Sequence, residues 1–388
     1  MENQGFNRTL TLKSSIYLGL SSMIGAGLFN NIAPTAKISS YGSIVGLLIA
    51  STLAFANASS SAQLSSLFPK TGGTYLYAKE VLGKPYAIVA GTVFIVGKTI
   101  SCIAIALTIG NYISPVYGKE LGVALCLLIF LLSFSGIHKT AEIARWFLWI
   151  LFGLLIFYSI SIISTSGVDY NIPVFSVDSF NDILLSASIW FFAFTGYSRL
   201  ATFGEEIKNP KEIIPTAIFT GLGITILVYL MITWLTLSIV SPNIIMNSST
   251  PLLVAMDVSR FSEFTFLIVF ASSIAMVSVF LALMPGISRI YVALSRDKIL
   301  PEAFSKIHKK FNSAYFSEAF VLISVIIGIY SFDVVGSIKL SSFFILVYYT
   351  ITNLCVIRLD KEKRLYSVGI AYFGFALCII LAIALVVL

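Results

Sequence analysis

The sequence predicts an all-α polytopic membrane protein, and three observations carry that prediction. Of the 388 residues, 57% are hydrophobic and only 11% charged, with a mean hydropathy of +0.94, whereas soluble chains carry roughly 25% charged residues. Apolar stretches recur along the whole chain, each near the roughly 20 residues that cross a bilayer core. Two of these stretches, five apart, are interrupted by glycine at mid-depth. Little is left for a soluble domain, so 1–388 reads as one transmembrane domain in the lipid bilayer.

The first span is placed at 14–36. Its run from Ser14 is too long and too rich in glycine and serine for a removable signal peptide, and it lacks a convincing cleavage site. The second, 43–66, opens on Gly42-Ser-Ile-Val-Gly46, a close-packing face that serves either helices of the same chain or a second copy, as monomer or homodimer. The third, 86–112, carries Lys98 at its middle, with no acidic residue as deep. An ionisable group there is costly and marks a functional position by default. Either it snorkels to the cytoplasmic interface or a wet crevice, or it takes part in proton or cation coupling. Around it, Gly91–Thr99 imitates a phosphate-binding loop, but its glycines are five residues apart where that loop needs four, and no strand precedes it. The fourth span, 120–136, is the shortest. The fifth, 143–166, completes a first half, 14–166. Spans at 181–203, 214–240, 264–288, 317–332 and 337–357 form a second, 181–357, and 367–388 is an extra span, making eleven.

Charge gives the orientation. With the N-terminus cytoplasmic, twenty of the 25 basic residues fall in inner segments and four, Lys37, Lys119, Arg260 and Lys339, in outer ones. Every alternating loop obeys the positive-inside rule. Lys98 is the remaining one, and an odd span count puts the C-terminus outside. The basic excess therefore reflects loop bias, not nucleic-acid binding.

Enzymatic readings lack material. Cys102, Cys126, Cys355 and Cys378 lie inside apolar runs without metal-ligand spacing. The two histidines, His138 and His308, fall in polar loops, so neither a metal site nor a nucleophile–histidine pair can be assembled, and no cofactor is implied.

The chemistry concentrates in the two interruptions. Ser21-Ser22-Met23-Ile24-Gly25-Ala26-Gly27-Leu28-Phe29 lies in the first span, and Phe191-Phe192-Ala193-Phe194-Thr195-Gly196-Tyr197-Ser198 in the sixth. Glycine lets a helix unwind, and in lipid the freed N–H and C=O groups need partners. The positive pole of a half-helix after Gly25-Ala26-Gly27 suits a carboxylate, and freed carbonyls suit an ammonium. Taken singly, either cluster also fits close helix packing through small residues. Paired breaks in corresponding positions of two five-span halves are the mark of an inverted-repeat transporter.

These residues resemble the amino acid-polyamine-organocation transporters, almost end to end. Met23-Ile24-Gly25-Ala26-Gly27-Leu28-Phe29 resembles the family's first-helix break, usually written GSGIF, and Phe68-Pro-Lys-Thr-Gly-Gly-Thr-Tyr75 its second loop. Phe191-Phe-Ala-Phe-Thr-Gly196, with Glu205-Glu206, Lys208-Asn209-Pro210 and Ile214-Pro215-Thr216-Ala217, is similar to its sixth-span signature. Arg289-Ile-Tyr-Val-Ala-Leu-Ser-Arg296-Asp297, ending in Leu300-Pro301, resembles its eighth-helix exit. The resemblance implies a five-plus-five inverted repeat and alternating access. It also implies a site formed by Met23, Ile24, Gly25, Ala26, Gly27, Phe192, Ala193, Phe194, Thr195 and Gly196. The substrate carboxylate would meet the amides of Ala26 and Gly27, the ammonium the carbonyls of Met23, Phe192 and Thr195, and Phe194 would be an aromatic lid.

The chain also departs from the pattern. Ala26 stands where the family often has serine, so backbone amides alone must hold the carboxylate. After Gly196, Tyr197-Ser198-Arg199 lacks the common acid and brings a cation that either disfavours dibasic substrates or anchors the span's end. The fifth span, with RWFLWILF from Arg145, lacks the lysine that replaces sodium in some proton-coupled relatives, leaving Lys98 as the coupling candidate. The expectation is a secondary transporter of amino acids, neutral rather than dibasic, working by proton-coupled symport or exchange. A polyamine or organic-cation carrier and a non-transporting membrane sensor remain the alternatives. Glu205, Glu206, Lys208 and Lys211 read either as solvated surface or as a cytoplasmic gate. Tyr75 and Tyr77 read as interfacial, without a ligand role.

Overall fold

The computed structural model describes residues 8–133, 137–166, 179–308 and 313–388. The end of the expected fourth span, 134–136, and Lys309 and Lys310 of the inner-charge tally lie outside the described residues. The helices are α1 (Leu12–Met23), α2 (Ala26–Ser39), α3 (Ser43–Leu67), α4 (Thr74–Val81), α5 (Lys84–Ile113), α6 (Gly118–Ser133), α7 (Ile137–Ile163) and α8 (Phe180–Phe194). They continue as α9 (Ser198–Thr202), α10 (Pro210–Ile239), α11 (Pro242–Ile245), α12 (Pro251–Asp257), α13 (Phe266–Arg296), α14 (Tyr315–Ser331), α15 (Val334–Arg358) and α16 (Val368–Val387). Among the described residues there is no strand, only an isolated parallel bridge between Leu10 and Ile207.

Local chemistry explains where helices start. Thr11 and Ser14 form a capping box at α1, and the Ser179 and Asp333 side chains accept N–H groups at the starts of α8 and α15. Pro210 opens α10 after Asn209, whose φ of 42° is left-handed. Such caps satisfy donors that a helix start cannot pair internally.

Among the described residues, eight segments are long and apolar enough to cross a membrane, against the eleven expected. Leu12–Leu67 is one segment of 56 residues that holds both the first and second expected spans. The expected fourth and ninth spans are helices of 16 and 17 described residues, α6 and α14, short of the roughly 20 a perpendicular crossing needs. His138, expected in a loop, belongs to the first turn of α7. The eighth span also differs: α13 runs past the expected end at 288, through Pro285, to Arg296. Arg289 is therefore a buried helix residue, 1% exposed, not part of a cytoplasmic loop.

Burial separates centre from periphery. In the Phe180–Thr202 segment nearly every residue of its most apolar stretch is buried, and in α16 only about a third are. α1 packs on α7, α10 and α13, α2 on α8, α3 on α8 and α10, and α5 on α13 and α15. Apolar contact drives little association in lipid, so polar links matter. Between α3 and α15, Asn353 Nδ2 donates to Asn57 Oδ1 at 2.7 Å and Ser60 Oγ donates to Asn353 Oδ1 at 2.6 Å. All four cysteines are free and buried.

Candidate functional site

The first interruption is a true opening. Ile24 (φ −75°, ψ 92°) leaves the helix and Gly25 (φ −166°, ψ −134°) precedes α2. The Ile24 N–H still reaches Leu20 O at 2.9 Å, and the Leu28 N–H closes onto Gly25 O at 2.9 Å. Among the described residues the Ala26 and Gly27 N–H groups meet no protein acceptor. They form the electropositive start of a 14-residue helix. Glycine is required here by close approach. A Cβ on Gly27 would lie 2.4 Å from Ala193 Cα, one on Gly25 2.1 Å from Val279 Cγ2, and one on Gly196 2.2 Å from Ser22 O.

The second interruption is a different object. Residues Thr195–Tyr197 form a 3-10 turn and the backbone stays right-handed helical from Phe194 to Ser198, so the expected unwinding is a tightening instead. α8 and α9 carry on through it with most carbonyls engaged. The Phe192 carbonyl accepts from the Thr195 N–H and from Thr195 Oγ1, the latter at 2.9 Å. The Thr195 carbonyl accepts from Lys98 Nζ at 2.8 Å and from Ser198 Oγ at 2.9 Å. Ser22 Oγ, on the first interruption, shares its proton between Gly19 O at 2.7 Å and Gly196 O at 3.0 Å, and the second contact ties the two interruptions together. Tyr229 of α10 bridges them as well, with its hydroxyl 2.6 Å from Met23 O and 3.2 Å from Ala193 O.

Between the interruptions lies a cavity of about 20 Å³, large enough for one water and smaller than any amino acid. Of the residues expected from sequence, Met23, Ala26, Gly27, Lys98, Phe192, Ala193 and Thr195 line it. Ile24, Gly25, Phe194 and Gly196 do not; the Phe194 ring packs on Tyr229 with centroids 5.2 Å apart, and Phe192 is the aromatic that faces the space. Sequence reasoning missed Ser22, Ser101, Ile105, Val279 and Leu283 as lining residues, and Tyr229 as the bridge. Tyr229 carries a signal that could have found it, because a tyrosine inside an apolar span needs a partner for its hydroxyl.

Two cations line this cavity. Lys98 is 1% exposed and does not snorkel. Arg199 is 2% exposed, so it does not anchor the span at the interface. Its Nη1 donates to Val279 O at 3.2 Å, and among the described residues its Nε meets no acceptor.

Toward the end of α13 lies a second polar cluster. Arg289 holds Glu206 with Nε–Oε1 at 2.9 Å and Nη2–Oε2 at 3.3 Å, and Glu318 stands 3.6 Å from its Nη1. All three are essentially buried, so Glu206 is no solvated surface group. Burial pushes the Glu206 carboxyl above its ordinary value, against the pull of Arg289. Glu205 pairs with Arg296 at 3.2 Å and accepts the Thr71 N–H. Lys79 reaches Asp297 at 2.6 Å, and the Tyr75 hydroxyl also donates to that carboxylate. Partial burial raises the Asp297 carboxyl, but the bonds from Lys79 and Tyr75 outweigh it and hold the group below the usual aspartate value.

Comparison with known proteins adds three kinds of finding. Residues 15–388 match the family model described as amino acid permease. An uncharacterized transporter of Mycobacterium tuberculosis is 34% identical over 379 residues, covering 97% of this chain and 86% of the relative. The serine/threonine exchanger SteT of Bacillus subtilis is 25% identical, covering 96% of this chain and 89% of the relative. Cationic amino acid transporter 3, mitochondrial, of Arabidopsis thaliana is also 25% identical, covering 79% of this chain and 55% of the relative. The fold is shared with the crystal structure of MhsT in complex with L-phenylalanine, at a TM-score of 0.72 and 15% identity over 99% of this chain and 98% of that one.

Proposed function

Because this chain belongs to the amino acid permease family, we propose that it is a secondary transporter moving amino acids across the cytoplasmic membrane by alternating access. The arrangement we propose has eleven spans, with the N-terminus cytoplasmic and the C-terminus outside. It comprises two five-span repeats, 14–166 and 181–357, and the extra span 367–388. The observation that carries the reading is the amide pair of Ala26 and Gly27, unpartnered among the described residues, in the wall of a central cavity that Phe192, Ala193 and Thr195 of the second interrupted span also line. Amides at a helix start favour a carboxylate, and carbonyls favour an ammonium. A zwitterion satisfies both.

The cavity is closed around its own groups. Tyr229 holds the Met23 carbonyl, Thr195 the Phe192 carbonyl, and Lys98 the Thr195 carbonyl. Substrate entry therefore requires the two interruptions to separate, and a substrate ammonium competes with Lys98 for Thr195 O. That competition is the physical basis for Lys98 as a coupling residue, through symport with protons or through exchange. Lys98→Ala is expected to keep measurable uptake and lose its pH dependence; an unchanged pH profile removes the role. Arg199 and Lys98 at the cavity wall oppose a dibasic amino acid or a polyamine, leaving substrates with neutral or acidic side chains.

The test is flux. Purified protein in proteoliposomes is expected to give saturable, stereoselective uptake of an amino acid, found by competing the twenty amino acids against a labelled one with and without an imposed pH gradient. Absence of flux for all twenty would overturn the transport reading.

A further inference from the structure

The helices that wall the cavity share a peculiarity of charge. α1, α2, α5, α9 and α13 contain no aspartate or glutamate, and α8 has only Asp182, in its first turn. Yet Lys98 and Arg199 both line the cavity, beside the electropositive start of α2. Neither side chain forms an ion pair with a described residue. A lysine can shed its proton on burial, but a guanidinium keeps its charge, and an uncompensated buried charge is strongly unfavourable. Among the described residues Arg199 makes one hydrogen bond, to a neutral carbonyl, and its Nε is left without an acceptor. The fold nonetheless makes space for it: a Cβ on Gly286 of α13 would crowd the Arg199 Cγ at 3.3 Å.

We propose that the central cavity is built for an amino acid whose side chain carries a carboxylate, with Arg199 as the principal partner of that group and Lys98 as the second cation. The proposal rests on the transport reading above and narrows it. A neutral zwitterion brings no net charge and leaves Arg199 uncompensated. One further carboxylate supplies the missing anion, and a guanidinium offers it a planar pair of donors. The α-carboxylate stays with the Ala26 and Gly27 amides, so the two anionic groups meet different partners and do not compete. Displacing Lys98 from Thr195 O frees that carbonyl for the substrate ammonium and turns the lysine toward the anion.

Isosteric pairs test this without altering the protein. In proteoliposomes carrying the full chain, L-glutamate and L-glutamine, and L-aspartate and L-asparagine, are compared as competitors of the labelled substrate. The acid of at least one pair is expected to win by about tenfold or more, the scale of a hydrogen bond to a charged group. Arg199→Gln is expected to bring that ratio close to one, and Arg199→Lys to keep part of it. Should Arg199→Gln fail to fold, the wild-type ratios and Arg199→Lys decide. Equal or better competition by both amides, with neutral amino acids transported, overturns this inference and leaves the transport reading intact. A preference for the acid that survives Arg199→Gln removes Arg199 from the role. No flux for any amino acid overturns both readings.

Discussion

Gly27 faces main chain, and that decides how it responds to substitution. A methyl group there meets Ala193 Cα at 2.4 Å, an atom that no side-chain rotation can move. Gly27→Ala is therefore expected to overpack the junction, costing about 1–3 kcal/mol of stability, and to abolish uptake. Gly25 differs because its obstacle is the Val279 side chain, at 2.1 Å. Gly25→Ala alone should fail in flux, while Gly25→Ala with Val279→Ala should recover much of it; a double variant as inactive as the single would refute the steric account. Tyr229→Phe removes the hydroxyl that holds Met23 O and is expected to lower stability by about 1 kcal/mol, read as a fall in thermal midpoint. At this scale the glycines and Lys98 stand out in sequence because both are anomalous in an apolar run, and of them Gly27 and Lys98 line the cavity while Gly25 and Gly196 do not. The sequence did not disclose which aromatic faces the cavity. Phe192 and Phe194 are two residues apart in similar surroundings, and only the turn of the helix separates them.

The interrupted spans, taken as elements, read alike in sequence and differ in backbone. Both contain glycine beside small polar residues, but only the first leaves helical geometry. The difference comes from packing, since the chain at Ile24–Gly25 must admit Val279 while Gly196 must admit the Ser22 carbonyl. α13 shows a related limit. The span expected to end at 288 continues instead through Pro285 to Arg296, with Ser288 Oγ donating to Pro285 O at 2.8 Å. Arg289 scored as one more inner-loop cation, a count that cannot tell a solvated charge from a buried one. Because Glu206 is its bidentate partner with no exposure, Glu206→Gln is expected to destabilise the fold by about 3 kcal/mol, the cost of leaving one member of a buried pair. It should also loosen the contact between α13 and the segment after α9, measured as faster hydrogen exchange at 203–209.

For the whole molecule, hydropathy disclosed an all-helical membrane protein, and the ordered motifs at 23–29, 68–75, 191–217 and 289–301 disclosed its family. The span tally was less legible, since α6 and α14 are too short for a length criterion and the first two spans run together. The junction at α4 and the end of α13 predicts an acid dependence. Asp297 lies below its ordinary value, so its link to Lys79 and Tyr75 contributes fully above the unfolded pKa, about 4, and is lost as pH falls through the lower folded value. The difference in thermal midpoint between wild type and Asp297→Asn should hold steady from neutral pH to about 4 and shrink below it.

The placement of the four sulfhydryls has a practical consequence. Each is sealed inside the bundle, where a thiol is a poor nucleophile and out of reach of aqueous reagents. The native chain should thus be nearly silent to maleimides. A reporter thiol introduced at Lys208 or Lys211, both at the surface beside the Glu206–Arg289 pair in sequence, can be followed against that dark background with no prior removal of the natural ones. Its labelling rate with and without substrate would register motion of that face directly.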